Sequence, residues 1–168
     1  GFSMTEDGKL RMARALAALK VDVIEAGFAA ASPGDSRAIA RIAREVQGPI
    51  ICSLARATIG DVTAAAKAVK DAERSRIHVF LGTSPIHREA KLKMTKAQVL
   101  QGIRDTVSLA REHCDDIEFS AEDAIRTERD FLVEALSAAV AAGATTLNVP
   151  DTVGYTTPDE IRDLFEYL

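Results

Sequence analysis

Ile117-Glu118-Phe119-Ser120-Ala121-Glu122-Asp123 alternates apolar and polar side chains with a period of two, and that alternation decides the fold. In an extended strand successive side chains point to opposite faces, so Ile117 and Phe119 share one face while Glu118, Ser120 and Glu122 share the other. The same parity runs through Ile77-His78-Val79-Phe80-Leu81 and Thr145-Thr146-Leu147-Asn148-Val149. Ile77, Val79, Leu81, Leu147 and Val149 join the apolar face, whereas His78, Phe80 and Asn148, with Thr152 beyond them, join the other. Polar groups thicken toward the C-terminal ends of these strands, as in a barrel interior that opens into an active site. A doubly wound sheet is buried under helices on both faces and has no comparable place for His78, Glu118 and Asn148 together.

Outward from these strands the pattern switches repeatedly between strand and helix periods. Thr5 reads as an N-cap with Glu6 and Asp7 behind it, and Leu10, Ala13, Leu16 and Ala17 recur at helical spacing. A short β-branched run, Val21–Gly27, follows; its parity is ambiguous. Ser36–Val46 returns to helical spacing and ends before Gly48-Pro49, and Ile50–Leu54 is the next strand. Helices are expected from Thr95, from Thr127 to Gly143, and from Thr157, where Pro158 takes the first helical position. Strand starts at Val21, Ile50, Ile77, Ile117 and Thr145 lie 29, 27, 40 and 28 residues apart, a spacing that suits successive strand-helix units with short loops. Such alternation implies parallel strands joined by right-handed crossovers.

Composition narrows the function classes. With 47% hydrophobic residues and 27% charged, the chain has the material for one globular core. The net charge of −4 comes from interleaved signs without a basic block, so neither a nucleic-acid nor a membrane partner is expected. No apolar run approaches the ~18 residues of a membrane span, and the first residues lack a signal-peptide pattern, which predicts a cytoplasmic protein. Cys52 and Cys114 lie far apart in sequence in apolar or helical surroundings, and read as buried thiols.

Nucleotide-binding glycine motifs, a nucleophile elbow and His-Glu-x-x-His are all missing, so any chemistry must come from strand ends. Glu25 sits at the first such end and, once buried, needs an arginine or hydroxyl partner. Arg56 ends the second, either as a clamp for a carboxylate or phosphate or as a solvated loop residue. His78 is either a hydrogen-bonded core histidine or a substrate contact. Glu118, Ser120 and Glu122 crowd acidic groups inward, which implies a metal or an arginine nearby. Asn148 and Thr152 bring amide and hydroxyl groups to the same rim, or else cap a turn.

Taken in order, Glu25-Ala26-Gly27-Phe28 with Ser32-Pro33-Gly34-Asp35, Ser53-Leu54-Ala55-Arg56, Arg76-Ile77-His78, Thr83-Ser84-Pro85-Ile86-His87, Glu118-Phe119-Ser120-Ala121-Glu122-Asp123 and Asn148-Val149-Pro150-Asp151-Thr152-Val153-Gly154-Tyr155 resemble the catalytic barrel of bacterial 2-isopropylmalate synthases. The resemblance covers the chain from end to end. It implies an acyltransferase that condenses acetyl-CoA with 2-oxoisovalerate in leucine biosynthesis. It also implies a divalent metal (Mg²⁺ or Mn²⁺, with Zn²⁺ as a third candidate) and a homodimer at full length.

By the same resemblance Glu122 is the catalytic residue, and Leu54, His78, Phe80, Ser120 and Thr152 line the substrate pocket. Glu25, Arg56, Glu118 and Asn148 support them. The family's Asp-Thr-Thr-Leu-Arg-Asp-Gly strand, its His-x-His metal ligands, its Asn-Gly block and its regulatory domain are not found in these residues. Residues 1–168 are therefore expected to form an incomplete TIM (β/α)8 barrel of five strands and six helices, similar to pyruvate-carboxyltransferase domains. That barrel would lack the first and last two strands, bind no metal of its own and be inactive alone. A citramalate or homocitrate synthase segment is the alternative within the enzyme class, and a non-catalytic association module is the alternative outside it.

Overall fold

The computed structural model describes residues 4–168. Strands and helices alternate as α1 (Glu6–Ala18), β1 (Val23–Phe28), α2 (Pro33–Glu45), β2 (Ile50–Arg56), α3 (Ile59–Val69) and β3 (Ser75–Gly82). A π-helical turn (His87–Leu92), α4 (Lys96–Arg111), β4 (Ile117–Glu122), a 3₁₀ turn (Ala124–Arg126), α5 (Arg129–Ala142), β5 (Thr146–Asn148) and α6 (Pro158–Tyr167) complete it. The strands pair in parallel in the order β1-β2-β3-β4-β5. That order never reverses, whereas a doubly wound sheet changes direction at a switch point. Right-handed crossovers always stepping the same way put the helices on one face and leave the other bare, as in a segment of a (β/α)8 barrel.

The parity of β3 and β4 holds. Ile77, Val79, Ile117 and Phe119 are fully buried and join Val62, Ile103, Val107, Phe131 and Leu132 of α3, α4 and α5 in one core. The opposite side chains of both strands face the bare side of the sheet. In β1 the pairing shifts between Glu25 and Gly27, a bulge that leaves Ala26 without a partner in β2. Gly27, at φ +145°, accommodates this, and the bulge returns Phe28 to register with Leu54.

Side-chain caps hold the helix starts. Thr5, Ser32, Thr58, Thr95 and Thr157 each accept from a backbone N–H of the first turn, and Thr95 and Thr157 complete capping boxes with Gln98 and Glu160. Two expectations need correction. The helix expected from Thr127 begins at Arg129, with Glu128 at its N-cap; the Thr127 hydroxyl is buried, 2.7 Å from that of Thr83 and 3.0 Å from the Asp123 carbonyl. Leu147 has the outward parity but remains 40% exposed, because β5 is a three-residue edge strand and α6, which buries Leu164 in the core, leaves an open groove over this side chain. Leu147, Val140, Phe165 and Leu168 line an open apolar groove of about 450 Å³ there.

The π-helical turn is fastened from behind. Lys93 takes a left-handed conformation at φ +55°, so that its N–H and that of Met94 both reach the Arg88 carbonyl. The buried Arg88 guanidinium donates to the Thr83 carbonyl (2.6 Å) and grips Glu128 with two bonds of 2.8 and 2.9 Å. It also lies over the Phe131 ring at 4.9 Å. The Arg88 hydrogen bonds hold the Glu128 carboxyl far below its ordinary range, at about 2, against the opposing effect of burial. A depressed carboxyl stabilises the fold above its unfolded pKa, and that contribution is lost as pH falls from about 4.5 to about 2. Urea midpoints measured across this window should therefore fall more steeply for the parent chain than for Glu128→Gln, with the gap between them closing toward the acid end.

Candidate functional site

The bare face of the sheet carries a connected polar network. Register aligns Leu54 with His78 and Glu118, and one step further on aligns Arg56, Phe80, Ser120 and Asn148. Glu25 pairs with Cys52, two residues before Leu54. His78 is the centre: Nδ1 lies 2.6 Å from a Glu25 oxygen and Nε2 lies 2.6 Å from the Ser120 hydroxyl. With Glu25 accepting at Nδ1, Nε2 is the acceptor for the Ser120 hydroxyl proton. Glu25 is exposed rather than buried, so its position demands no arginine or hydroxyl, and its partner is the buried imidazole.

The arginine required by the crowded carboxylates is Arg76, one inward position before His78. Its guanidinium lies 3.0 Å from Asp116 and 3.1 Å from Glu118, and Glu118 stands 3.6 Å from His78 Nε2. Burial opposes the charge on Arg76, and the two carboxylates outweigh it. Arg76 shares the parity of His78 and Phe80, and that signal alone could have marked it.

Glu122 and Thr152 meet at the C-terminal rim through Asp123, which sequence reasoning left without a role. The Asp123 N–H donates to the Thr152 hydroxyl at 2.9 Å. Its buried carboxyl lies between Arg126 (2.7 Å) and His87 (3.2 Å). Burial pushes this carboxyl up, but Arg126, Ser84 and His87 together hold it below the usual range. Glu122 is contacted at both oxygens by Lys91, at 3.1 Å each. His87 and Lys91 carried no strand signal, because both stand on the π-helical turn between β3 and α4. Asn148 shares the inward face beside Ser120, and Leu54 and Phe80 give the face its half-buried apolar surface.

Arg56 is committed elsewhere. Its guanidinium donates to Asp61 in the first turn of α3 at 2.6 and 3.1 Å and lies 5.4 Å from the Phe28 ring centre. The side chain stays 58% exposed, which suits the solvated reading, while the ion pair with Asp61 engages the guanidinium that a clamp would use.

Glu25, Cys52 and His78 bring three potential ligand atoms within 4.8 Å of one another. Their state does not suit a divalent cation. Both ring nitrogens of His78 are occupied by Glu25 and Ser120, and burial pushes the Cys52 thiol far above its ordinary range, aided by Glu25 and Glu118. Only a thiolate would serve as a ligand. Among the described residues no helix is long and apolar enough to cross a membrane.

Comparison with known proteins places these features in context. The HMGL-like family model matches residues 1–168. A 2-isopropylmalate synthase of Aquifex aeolicus is 60% identical over 166 residues, and one of Xanthomonas campestris pv. campestris is 55% identical over 168. The matches cover 99% and 100% of this chain and 32% of each relative, so the chain spans about a third of their length. Among solved structures, a hydroxymethylglutaryl-CoA lyase of Pseudomonas aeruginosa superposes with a TM-score of 0.81 over 99% of this chain and 57% of that one, at 19% identity. At that identity the likeness speaks for the fold.

If Cys52 is a neutral thiol and no ligand, titrating the native protein with Cd²⁺ should produce no cadmium–thiolate charge-transfer absorbance, while the urea-unfolded protein should produce it. A strong band in native protein carrying Cys114→Ser, which leaves Cys52 as the one thiol, would show that the Glu25–Cys52–His78 group opens to take a metal.

Proposed function

The chain belongs to the HMGL-like family, and on that premise we propose that it forms the substrate-facing part of a 2-isopropylmalate synthase barrel, which condenses acetyl-CoA with 2-oxoisovalerate. The observation that carries this reading is the convergence on one sheet face of the Glu25–His78–Ser120 chain and the Glu122–Asp123–Thr152 rim. This occurs in a chain 55 to 60% identical to enzymes of that name.

The reaction joins the acetyl methyl carbon to the ketone carbon of the oxo acid and releases coenzyme A by thioester hydrolysis. A divalent metal, when bound, supplies a Lewis acid for the ketone. The described residues do not fit its ligand set, and their part is to bind, orient and move protons. Ser120, bound to His78 Nε2, lines the oxo-acid pocket, and Thr152, whose hydroxyl oxygen accepts from the Asp123 amide, keeps its proton free to donate to the oxo acid's oxygens. Glu122 stands beside the reacting carbon as the group that handles a proton. Leu54 and Phe80 receive the isopropyl group. The Arg76 guanidinium neutralises Glu118 and Asp116, so that this face can take an anionic substrate.

Grafting these 168 residues in place of the matched segment of the Aquifex enzyme tests the reading. The chimera should release thiol from acetyl-CoA only when 2-oxoisovalerate is present, and the 168 residues alone should not. Leu54→His in the chimera should move the preference between 2-oxoisovalerate and pyruvate toward pyruvate by ~1 to 3 kcal/mol, the range that small pocket changes allow. An unchanged ratio would remove Leu54 from the pocket wall.

A further inference from the structure

We propose that His87 and Lys91 are positioning residues that hold the Glu122 carboxyl group in one orientation at the site; the inference rests on the function proposed above, because it assigns both residues to Glu122's part in that reaction. Lys91 Nζ lies 3.1 Å from each oxygen of Glu122, and His87 Nε2 lies 3.5 Å from Oε1. A half-buried glutamate at a strand end can exchange among χ1 rotamers, carrying its carboxyl group with it. Lys91 donates to both oxygens while the His87 ring borders one of them from a second direction, which removes that freedom, and one turn of helix carries both residues.

The histidine is itself fixed. Its Nδ1 faces the Ser84 hydroxyl at 2.9 Å and Asp123 Oδ2 at 3.2 Å. Asp123 is fully buried, is bridged to Arg126, and is held ionised. Ser84 and Asp123 hold the ring from its Nδ1 side, which leaves the Nε2 edge facing Glu122. The backbone makes room for this arrangement. Gly82 pairs with Glu122 across the sheet, and a Cβ at Gly82 would lie 2.7 Å from the Cβ of His87. The ring can lie against β3 only because position 82 has no side chain.

Stability alone does not explain the arrangement. Lys91 is half exposed, and ion pairs of that kind contribute little to folding. The turn is nevertheless anchored by the buried Arg88, and the Asp123 that fixes His87 also gives its N–H to Thr152. Orientation of Glu122 is thereby coupled to the Thr152 hydroxyl on the same rim.

Two measurements test the clamp. In the 168-residue protein, three-bond NMR couplings to Glu122 Cγ should report a single χ1 rotamer in the parent and in Lys91→Arg. They should report averaged values in the His87→Leu/Lys91→Met double variant, whose folding the rest of the spectrum verifies. Averaging already in the parent, or none in the double variant, overturns the clamp. In the active chimera, Lys91→Met should lower kcat roughly 10- to 100-fold while KM for the oxo acid changes by less than about threefold, with Lys91→Arg restoring most of the rate. An active chimera whose kcat ignores Lys91→Met overturns the positioning role and leaves the functional reading intact. A parent chimera without turnover overturns that reading, and the catalytic meaning of the clamp with it.

Discussion

Negative charge is concentrated on one face of this sheet, and the Arg76 guanidinium is what lets it remain there. Asp116 and Glu118 lie within 3.1 Å of Arg76, and Glu118 in turn borders His78, whose other partners are Glu25 and Ser120. Without that cation, Asp116 and Glu118 would stand side by side with no opposite charge between them. With it, the network can keep its charges and fix an imidazole between an acid and a hydroxyl. The bare face exists because strand order never reverses, so the polar network and the sheet topology are one constraint seen at two scales.

Much of this was legible in the sequence. The two-residue period in β3 and β4 foretold which side chains would be buried, and the crowding of Glu118, Ser120 and Glu122 called for the cation that Arg76 supplies. β1 was illegible for a physical reason: the bulge at Ala26 breaks the period inside a six-residue strand, so no single parity describes it. Leu147 misled because outward parity specifies direction and not cover. Thr127 had the chemistry of an N-cap but found a buried partner in Thr83, a contact between residues 44 positions apart. The rim was hidden similarly. Asp123, His87 and Lys91 meet through a left-handed residue and a π-helical turn, neither of which has a periodic signature.

The comparisons separate architecture from chemistry. A lyase at 19% identity superposes with a TM-score of 0.81, so this arrangement of strands and helices is compatible with very different sequences. Side chains at strand ends and in the loops beyond them are therefore where the chain's own character lies. Here those side chains are interlocked. Asp123 touches Arg126 and His87 and gives its amide to Thr152, so that the β4 rim, the π-helical turn and the β5 loop share one buried carboxylate.

Gly82 shows how such interlocking shapes tolerance to change. It has no side chain to bind, donate or accept, and its φ needs no special freedom. Yet the smallest possible addition there would strike the Cβ of His87, an atom that cannot swing aside without moving the turn that carries it. A scan of substitutions would mark position 82 as intolerant, and a reader of that map would take it for a contact to substrate. What the position contributes is empty space, and a lineage that filled it would have to rebuild the π-helical turn before Glu122 could be held from that side again.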